Sequence, residues 1–596
     1  MREALKQMRN NRKLCKAALI LSVAVLLLYP LRHVNVGVDL WDGGYNYANF
    51  RYSGLEYMDA MWYFATWLAN GIGSLITRLP FGSTMLGMNV YTGLIVSTTA
   101  AVSYFFCVKK LQMAAPLAFV GVLAAVSLCW LPTSALYCYL TYLFLLVGIC
   151  LLYQGLVSGK GCLLIATGVV LGLNVGIRFS NLVQTGLILA VWAYGVFSKK
   201  KLKEVAKDTG LCILGYVAGL GSFLLVISLC YGFGEYASAV GRLFHMTENA
   251  VDYKPASMLL GAIGAYFEDE NTYWTKRFLL LFASGFLVCF PLPGKLTRLK
   301  KSISVLITAT AIVWLARTGF SYWDYAAYDA VYAPCVMMFQ VMILLALAQV
   351  FSRKAAKEDR LFAVLLLLIV FLTPLGSNNA MYTNINNSFL MLPGFLWLGW
   401  KFCRNIKEIL AFPVKCVIFA VSFFVLLQCV GFGNTFVYEG ADGGRGLEVK
   451  ITEIPVLNGM RTGKQKAENL VGLYGYLSEE TLFDRECILY GYIPGISYFM
   501  ELAPAVNTWG DLRSYEPEVM QGALNKVKQE IDFGVSDYPL VILERRHGSY
   551  LETKEADGLF YDEQAEVKLL ILQDFMEELG YKSTYYNEGF IVYRVE

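Results

Sequence analysis

Apolar runs dominate the chain up to about residue 430, and short polar stretches separate them. A helix needs about 20 apolar residues to cross a bilayer core, with a range near 17–25. On that criterion the pattern predicts spans at 16–32, 85–107, 113–131, 135–154, 161–176, 181–198, 209–231, 276–292, 302–317, 331–350, 361–376, 388–402 and 408–431. About thirteen spans make a polytopic α-helical membrane protein. After residue 434 the texture changes. Residues 488–493, 540–543 and 590–593 read as short strands. Residues 515–530 and 564–579 read as helices, the second ending at Gly580. Strands alternating with helices predict a small α/β domain.

Residues 57–79 differ from the spans. Met58, Met61, Ala65, Leu68, Ile72, Leu75 and Leu79 recur at helical spacing, with Asp59, Tyr63, Thr66, Asn70 and Ser74 on the other side. Trp62 and Trp67 are residues that favour the membrane interface. A span here would put Lys109 and Lys110 on the wrong side of the charge pattern described next. The segment is therefore expected to lie in the interface.

Charge gives the orientation. Lys109–Lys110, Lys160, Lys199–Lys203, Lys295 to Lys301, Arg353 to Arg360 and Lys401 to Lys407 all fall in alternate loops, while the other loops hold scattered cations. Basic loops stay cytoplasmic, so the N-terminus is expected inside and the C-terminal part outside. Residues 1–433 are then a transmembrane domain with outer loops at 31–84 and 232–275, and 434–596 an extracytoplasmic α/β domain. The first apolar run resembles a signal peptide, but Tyr29-Pro30-Leu31-Arg32 follows it instead of a small-residue cleavage site, so an uncleaved helix is expected. The basic residues fit this orientation code better than a nucleic-acid surface.

Overall, 57% of residues are hydrophobic and 16% charged. The 14 cysteines lie mostly inside apolar runs, where cysteine acts as a small hydrophobe. With three histidines and no CxxC pair, a His/Cys metal site is not expected. Cys487 is the single cysteine after residue 434, so that domain has no internal disulfide framework, which points weakly to a bacterial source.

The candidate chemistry sits where the chain leaves the first span, in Val38-Asp39-Leu40-Trp41-Asp42-Gly43-Gly44-Tyr45-Asn46-Tyr47. A carboxylate there can act as general base or hold a divalent cation such as Mg or Mn on a phosphate. Tyr45 and Tyr47 offer flat faces to sugar rings. The plain alternative is a hydrated turn in which Asp caps a helix. Arg178, beside Asn181 in Asn174-Val175-Gly176-Ile177-Arg178-Phe179-Ser180-Asn181, is a cation on the side that the charge rule disfavours. It suits a lipid phosphate or snorkels to headgroups. Arg242 and His245 could contact phosphate. Glu268 and Asp269, beside Tyr273 and Trp274, read as a solvated charge run before a helix. Asp324, Asn378 and Trp509-Gly510-Asp511 could meet sugar hydroxyls, or be caps and turns.

An outward first loop opening with an acid beside tyrosines, an interfacial helix, about thirteen spans and a C-terminal outer α/β domain together resemble the GT-C superfamily of membrane glycosyltransferases. These include protein O-mannosyltransferases, aminoarabinose transferases and oligosaccharyltransferases. The resemblance implies a polyprenyl-phosphate-linked sugar donor, a cell-surface glycan, lipid or protein acceptor, and an inverting transfer. It also implies that Asp42 is the catalytic acid of the first loop, with Asp39 second, and that Glu268 and Asp269 could serve as the second acidic site that such enzymes often carry in a later outer loop. The sequence has Gly43 where a Glu often follows that Asp, which bears on any metal. A lipid-linked saccharide transporter or flippase would need ionisable groups near mid-membrane, and the predicted span centres hold almost none. A surface-polysaccharide polymerase or ligase, or a non-catalytic scaffold, stays open.

Overall fold

The computed structural model describes residues 12–131, 136–249, 260–261, 263–267, 273–277, 279–280, 283, 297–375, 377, 379–405, 412–440, 443–554, 558–560 and 563–595. A helix lies on each predicted span from 16–32 to 209–231 and from 302–317 to 408–431. The predicted span 276–292 falls largely outside the described residues. Among the described residues seven helices are long and apolar enough to cross a membrane: Met85–Lys109, Leu136–Ser158, Phe179–Phe197, Leu202–Cys230, Thr297–Arg317, Asp329–Phe351 and Phe412–Thr435. The chain is thus a multi-pass membrane protein.

The ends that carry basic clusters gather on one side. Lys401 pairs with Asp359, Arg360 lies 3.9 Å over the Phe197 ring and Lys357 lies 5.7 Å over Tyr194. The opposite ends carry the first loop and the segment after Thr435.

Gly161–Ile177 and Leu202–Cys230 touch backbone to backbone because glycines face each other. A Cβ on Gly168 would lie 2.1 Å from the Cys212 carbonyl oxygen, one on Gly172 2.4 Å from that of Tyr216, and one on Gly215 2.0 Å from that of Ile165. In a membrane such close packing, rather than hydrophobicity, holds helices together. Gly215→Leu is expected to lower the thermal midpoint of the detergent-solubilised protein by several degrees. Gly221→Leu, on the same helix but facing open space, should leave it unchanged.

Residues 57–79 form two helices, Ala60–Ala65 and Trp67–Thr77, that meet at Thr66. Leu75, Leu79 and Phe81 are exposed while Met58, Met61 and Ala65 are buried. An interfacial helix would turn its polar side to water. Here that side turns inward, because Phe233–Asn249 packs against Ala60–Ala65. Asn70 is buried and donates to Thr66 Oγ1 at 3.1 Å, and Asp59 is buried against Arg242.

After the last membrane helix come β1 (Val449–Lys450), β2 (Arg461–Thr462), β3 (Cys487–Tyr490), β4 (Leu540–Glu544), β5 (Lys582–Tyr586) and β6 (Phe590–Arg594). The four-stranded sheet has the order β3-β4-β6-β5, parallel between β3 and β4 and antiparallel elsewhere. Alternation along the strands makes two apolar faces. Ile488, Tyr490, Val541 and Leu543 pack with the helices Pro517–Asp532 and Glu563–Glu578. Cys487, Leu489, Leu540, Ile542, Phe590 and Val592 share one core with Tyr47, Phe50, Ala69, Ile76, Met85 and Met88 of the first loop and its flanking helix. That shared core ties the loop to the sheet and so positions the candidate acids.

Candidate functional site

The first loop is stitched to the segment that follows the last membrane helix. Gly37 N donates to the Arg461 carbonyl at 2.8 Å, and Arg461 N to that of Asn35 at 2.9 Å. Gly37 has φ +91 and the Tyr438 carbonyl oxygen 2.8 Å from where a Cβ would be, so only glycine fits. Lys466 donates to the Val38 carbonyl at 3.0 Å and pairs with Glu439 at 3.1 Å.

On this frame the two aspartates have different surroundings. Asp39 is 3% exposed. Its Oδ1 accepts from Trp41 N at 3.0 Å and its Oδ2 from Gly43 N at 2.5 Å. These bonds satisfy N–H groups at the start of the helix Asp42–Arg51. Both oxygens of Asp39, the second candidate for the catalytic or metal-binding work, thus accept bonds in helix capping. Burial pushes its carboxyl above the ordinary range, while the backbone N–H bonds and Lys466 oppose the shift.

Asp42 opens the helix and is only half-buried. Its Oδ2 accepts from the Tyr438 hydroxyl at 3.3 Å. Burial, and then the neighbouring Asp39 charge, push its carboxyl up to about 7, against the helix N-terminus and the Tyr438 bond, which favour the ion. A carboxyl poised near neutrality suits general-base work.

Aromatic walls flank Asp42. Toward the sheet, Trp41 lies 5.3 Å from Tyr492 and 5.6 Å from Trp509, and Tyr45 lies 5.4 Å from Trp509. Among the described residues, buried Trp41 Nε1 has no hydrogen-bond partner. Asp511 is 1% exposed, and burial raises its carboxyl to about 6 against nearby His547 and Lys568. Toward the membrane, the Tyr438 ring is parallel to Trp130 at 5.9 Å, and Trp130 lies 4.4 Å from Tyr328.

The other predicted residues divide. Arg178 lies 5.4 Å over the Tyr137 ring, and Cys138 is within electrostatic reach of both Arg178 and Asp42, so these two share a neighbourhood. Tyr47 is buried and donates to Asn89 Oδ1 at 2.5 Å. Asn181 is buried, donating to Thr141 Oγ1 at 2.8 Å and accepting from Gln184 at 3.1 Å; its amide serves helix packing. Arg242 grips Asp59 through two bonds of 2.7 and 3.2 Å, so its charge is already balanced. Asp324 pairs with Arg445 and accepts from Ala326 N at 3.1 Å, a turn-capping role. Glu268, Asp269, Asn378 and the His245 side chain lie outside the described residues.

Among the described residues no three His, Cys, Asp or Glu side chains gather as a metal site. Magnesium is commonly held by one or two carboxylates together with substrate phosphates, so Asp42 fits a cation only as the partner of a bound phosphate. Sequence reasoning missed Tyr438, Trp130 and Tyr328. Their signal was a run of aromatics at predicted outer ends of spans, which is ordinary for any membrane protein.

No family model matches the chain, and no curated protein matches it. Solved structures similar to it include the oligosaccharyltransferase of Archaeoglobus fulgidus in complex with zinc and sulfate, with TM-score 0.46 and 11% identity over 96% of this chain and 72% of that one. The archaeal oligosaccharyltransferase AglB of the same organism, in complex with an inhibitory peptide and a dolichol-phosphate, gives 0.45 and 11% over 96% and 74%. ArnT of Cupriavidus metallidurans bound to undecaprenyl phosphate gives 0.38 and 11% over 97% and 98%. At these scores the likeness supplies no residue-by-residue correspondence.

Proposed function

We propose that the chain is a membrane glycosyltransferase of the GT-C type that moves a sugar from a polyprenyl-phosphate donor to a cell-surface hydroxyl. The observation that carries the reading is Asp42, a half-buried carboxyl raised to about 7 at a helix N-terminus, between one aromatic wall on the sheet side and another on the membrane side. The topology proposed with it has the N-terminus cytoplasmic, about thirteen spans over 1–433, and 434–596 as an extracytoplasmic domain.

In this reading the acceptor enters along Trp41, Tyr45 and Trp509, and its hydroxyl gives its proton to Asp42. The acceptor oxygen forms a bond to the sugar's anomeric carbon as the bond from that carbon to the phosphate oxygen breaks. The electron pair leaves on the polyprenyl phosphate, whose charge Arg178 balances. A single displacement inverts the anomeric centre. A divalent cation held by Asp42 with the phosphate would supply further charge neutralisation.

The test is transfer of labelled sugar from synthetic polyprenyl-phosphate monosaccharides to a cell-envelope fraction by the full chain in nanodiscs. Asp42 must be ionised to act as base, so kcat/KM should rise about tenfold per pH unit below 7 and level off above it. The groups facing Asp42 are Asp39, Tyr438, Tyr45, Tyr328 and Cys138, with Lys466 and Glu439 behind Asp39. Transfer that is flat from pH 5.5 to 8.5 would refute the base assignment. No transfer from any donor would refute the reading.

A further inference from the structure

We propose that the membrane-side wall of Trp130, Tyr328 and Tyr382 is the subsite that recognises the sugar of the donor, as distinct from its phosphate or its lipid. This rests on the glycosyltransferase reading and names residues which that reading does not use.

Three observations carry it. The wall is continuous with Asp42, because Tyr438 donates to Asp42 and lies parallel to Trp130. Its rings form one surface: Trp130 to Tyr328 at 4.4 Å, Tyr328 to Tyr382 at 5.6 Å and Tyr332 to Tyr382 at 4.9 Å. Trp130, Tyr328 and Tyr382 are each only half-buried, so ring surface remains for a ligand. Finally, Trp130 Nε1 and Tyr328 Oη are buried and have no hydrogen-bond partner among the described residues.

A membrane-interface belt does not explain those two atoms. Belt tryptophans and tyrosines point their polar tips at water and headgroups, and buried Trp N–H and Tyr O–H groups usually find a partner. Here the tips are turned in and unmet. The wall is also held in place: Trp130 N donates to Tyr139 Oη at 2.9 Å and to Asn386 Oδ1 at 3.2 Å.

The chemistry selects the ligand. A prenyl chain needs no hydrogen-bond donors. A phosphate calls for cations, and Arg32, beyond Cys129, is directed at the Gly433 and Tyr29 carbonyls. Neutral N–H and O–H groups beside ring faces match the hydroxyls and C–H face of a pyranose.

The experiment measures dissociation constants for two probes on the full chain in nanodiscs: a polyprenyl-phosphate monosaccharide that the wild type transfers, and the same lipid phosphate without sugar. Trp130→Phe and Tyr328→Phe keep a ring and remove one donor each. Each should weaken the glycosylated probe about five- to tenfold and leave the bare lipid phosphate within twofold. Tyr328→Phe should not lower the thermal midpoint of the ligand-free protein, since its hydroxyl makes no hydrogen bond among the described residues; Trp130→Phe also gives up indole packing against Tyr328 and Tyr438 and should lower it modestly. Equal weakening of both probes would make the wall a lipid-phosphate site, and no weakening would make it a packing feature. Either result overturns the inference while wild-type transfer stands. A thermal midpoint that falls in ligand-free Tyr328→Phe overturns it too. A wild type that transfers none of the donors refutes the glycosyltransferase reading, and the inference falls with it.

Discussion

Asp42→Asn is expected to reduce sugar transfer by about 10²–10⁴-fold, the usual range for loss of a general base, with little change in thermal stability. Asparagine keeps the size and can still accept from Tyr438, but it cannot take a proton. Removing a half-buried carboxyl that burial already disfavours as an ion should not unfold the helix it opens. Asp39→Ala should show the reverse balance. It frees the N–H groups of Trp41 and Gly43 and costs about 1 kcal/mol of helix capping. Activity should then fall through misplacement of Asp42 and recover in part with Asp39→Asn, which retains an acceptor. Thermal unfolding and initial-rate transfer on the same preparations separate the two cases. A transfer rate within tenfold of wild type in Asp42→Asn would remove Asp42 from the chemistry.

The contrast between these aspartates was only half legible in the sequence. The dozen residues after the first span stood out as polar, acidic and aromatic at a membrane edge, and helices do lie on the apolar runs. Sequence spacing also raised the alternative that an Asp here caps a helix, and for Asp39 the structure shows that bonding. It could not tell which Asp caps, because the choice depends on where the helix starts, and Gly43-Gly44 is a poor helix former by itself. Tertiary contacts decide it: Leu40 O accepts from Gly495 N at 2.8 Å, more than 450 residues along. The polar candidates Asn181, Arg242 and Asp324 each have a partner within the protein. A polar residue near a membrane edge needs a partner whether or not it meets substrate: Gln184 lies three residues from Asn181 in the same helical stretch, while Asp59 and Arg445 lie 183 and 121 residues along the chain from Arg242 and Asp324. Tyr438 and Trp130 were invisible as aromatics in a region where aromatics are expected.

The same long-range dependence sets the expectation for Gly44. A Cβ there would stand 2.3 Å from Gly495 Cα and 2.8 Å from Gly495 N. No rotamer relieves a contact with backbone, so Gly44→Val must push the helix Asp42–Arg51 away from Ile496–Phe499. Overpacking commonly costs about 1–3 kcal/mol, but the larger effect should be on activity. The helix holds Asp42, while Tyr438, Lys466 and Trp509 belong to the other side of the seam. A displacement of about 1 Å between groups that must meet can cost about 100-fold in rate. Gly44→Val is therefore expected to lower kcat at least that much while donor binding, made on the membrane side, changes far less. Gly495→Ala should act in the same direction, since its Cβ would meet Gly44 Cα at 2.8 Å. Gly475→Ala, which faces open space, should be silent. Full activity in Gly44→Val would mean that the sheet does not position Asp42, and that the chemistry belongs to the membrane helices alone.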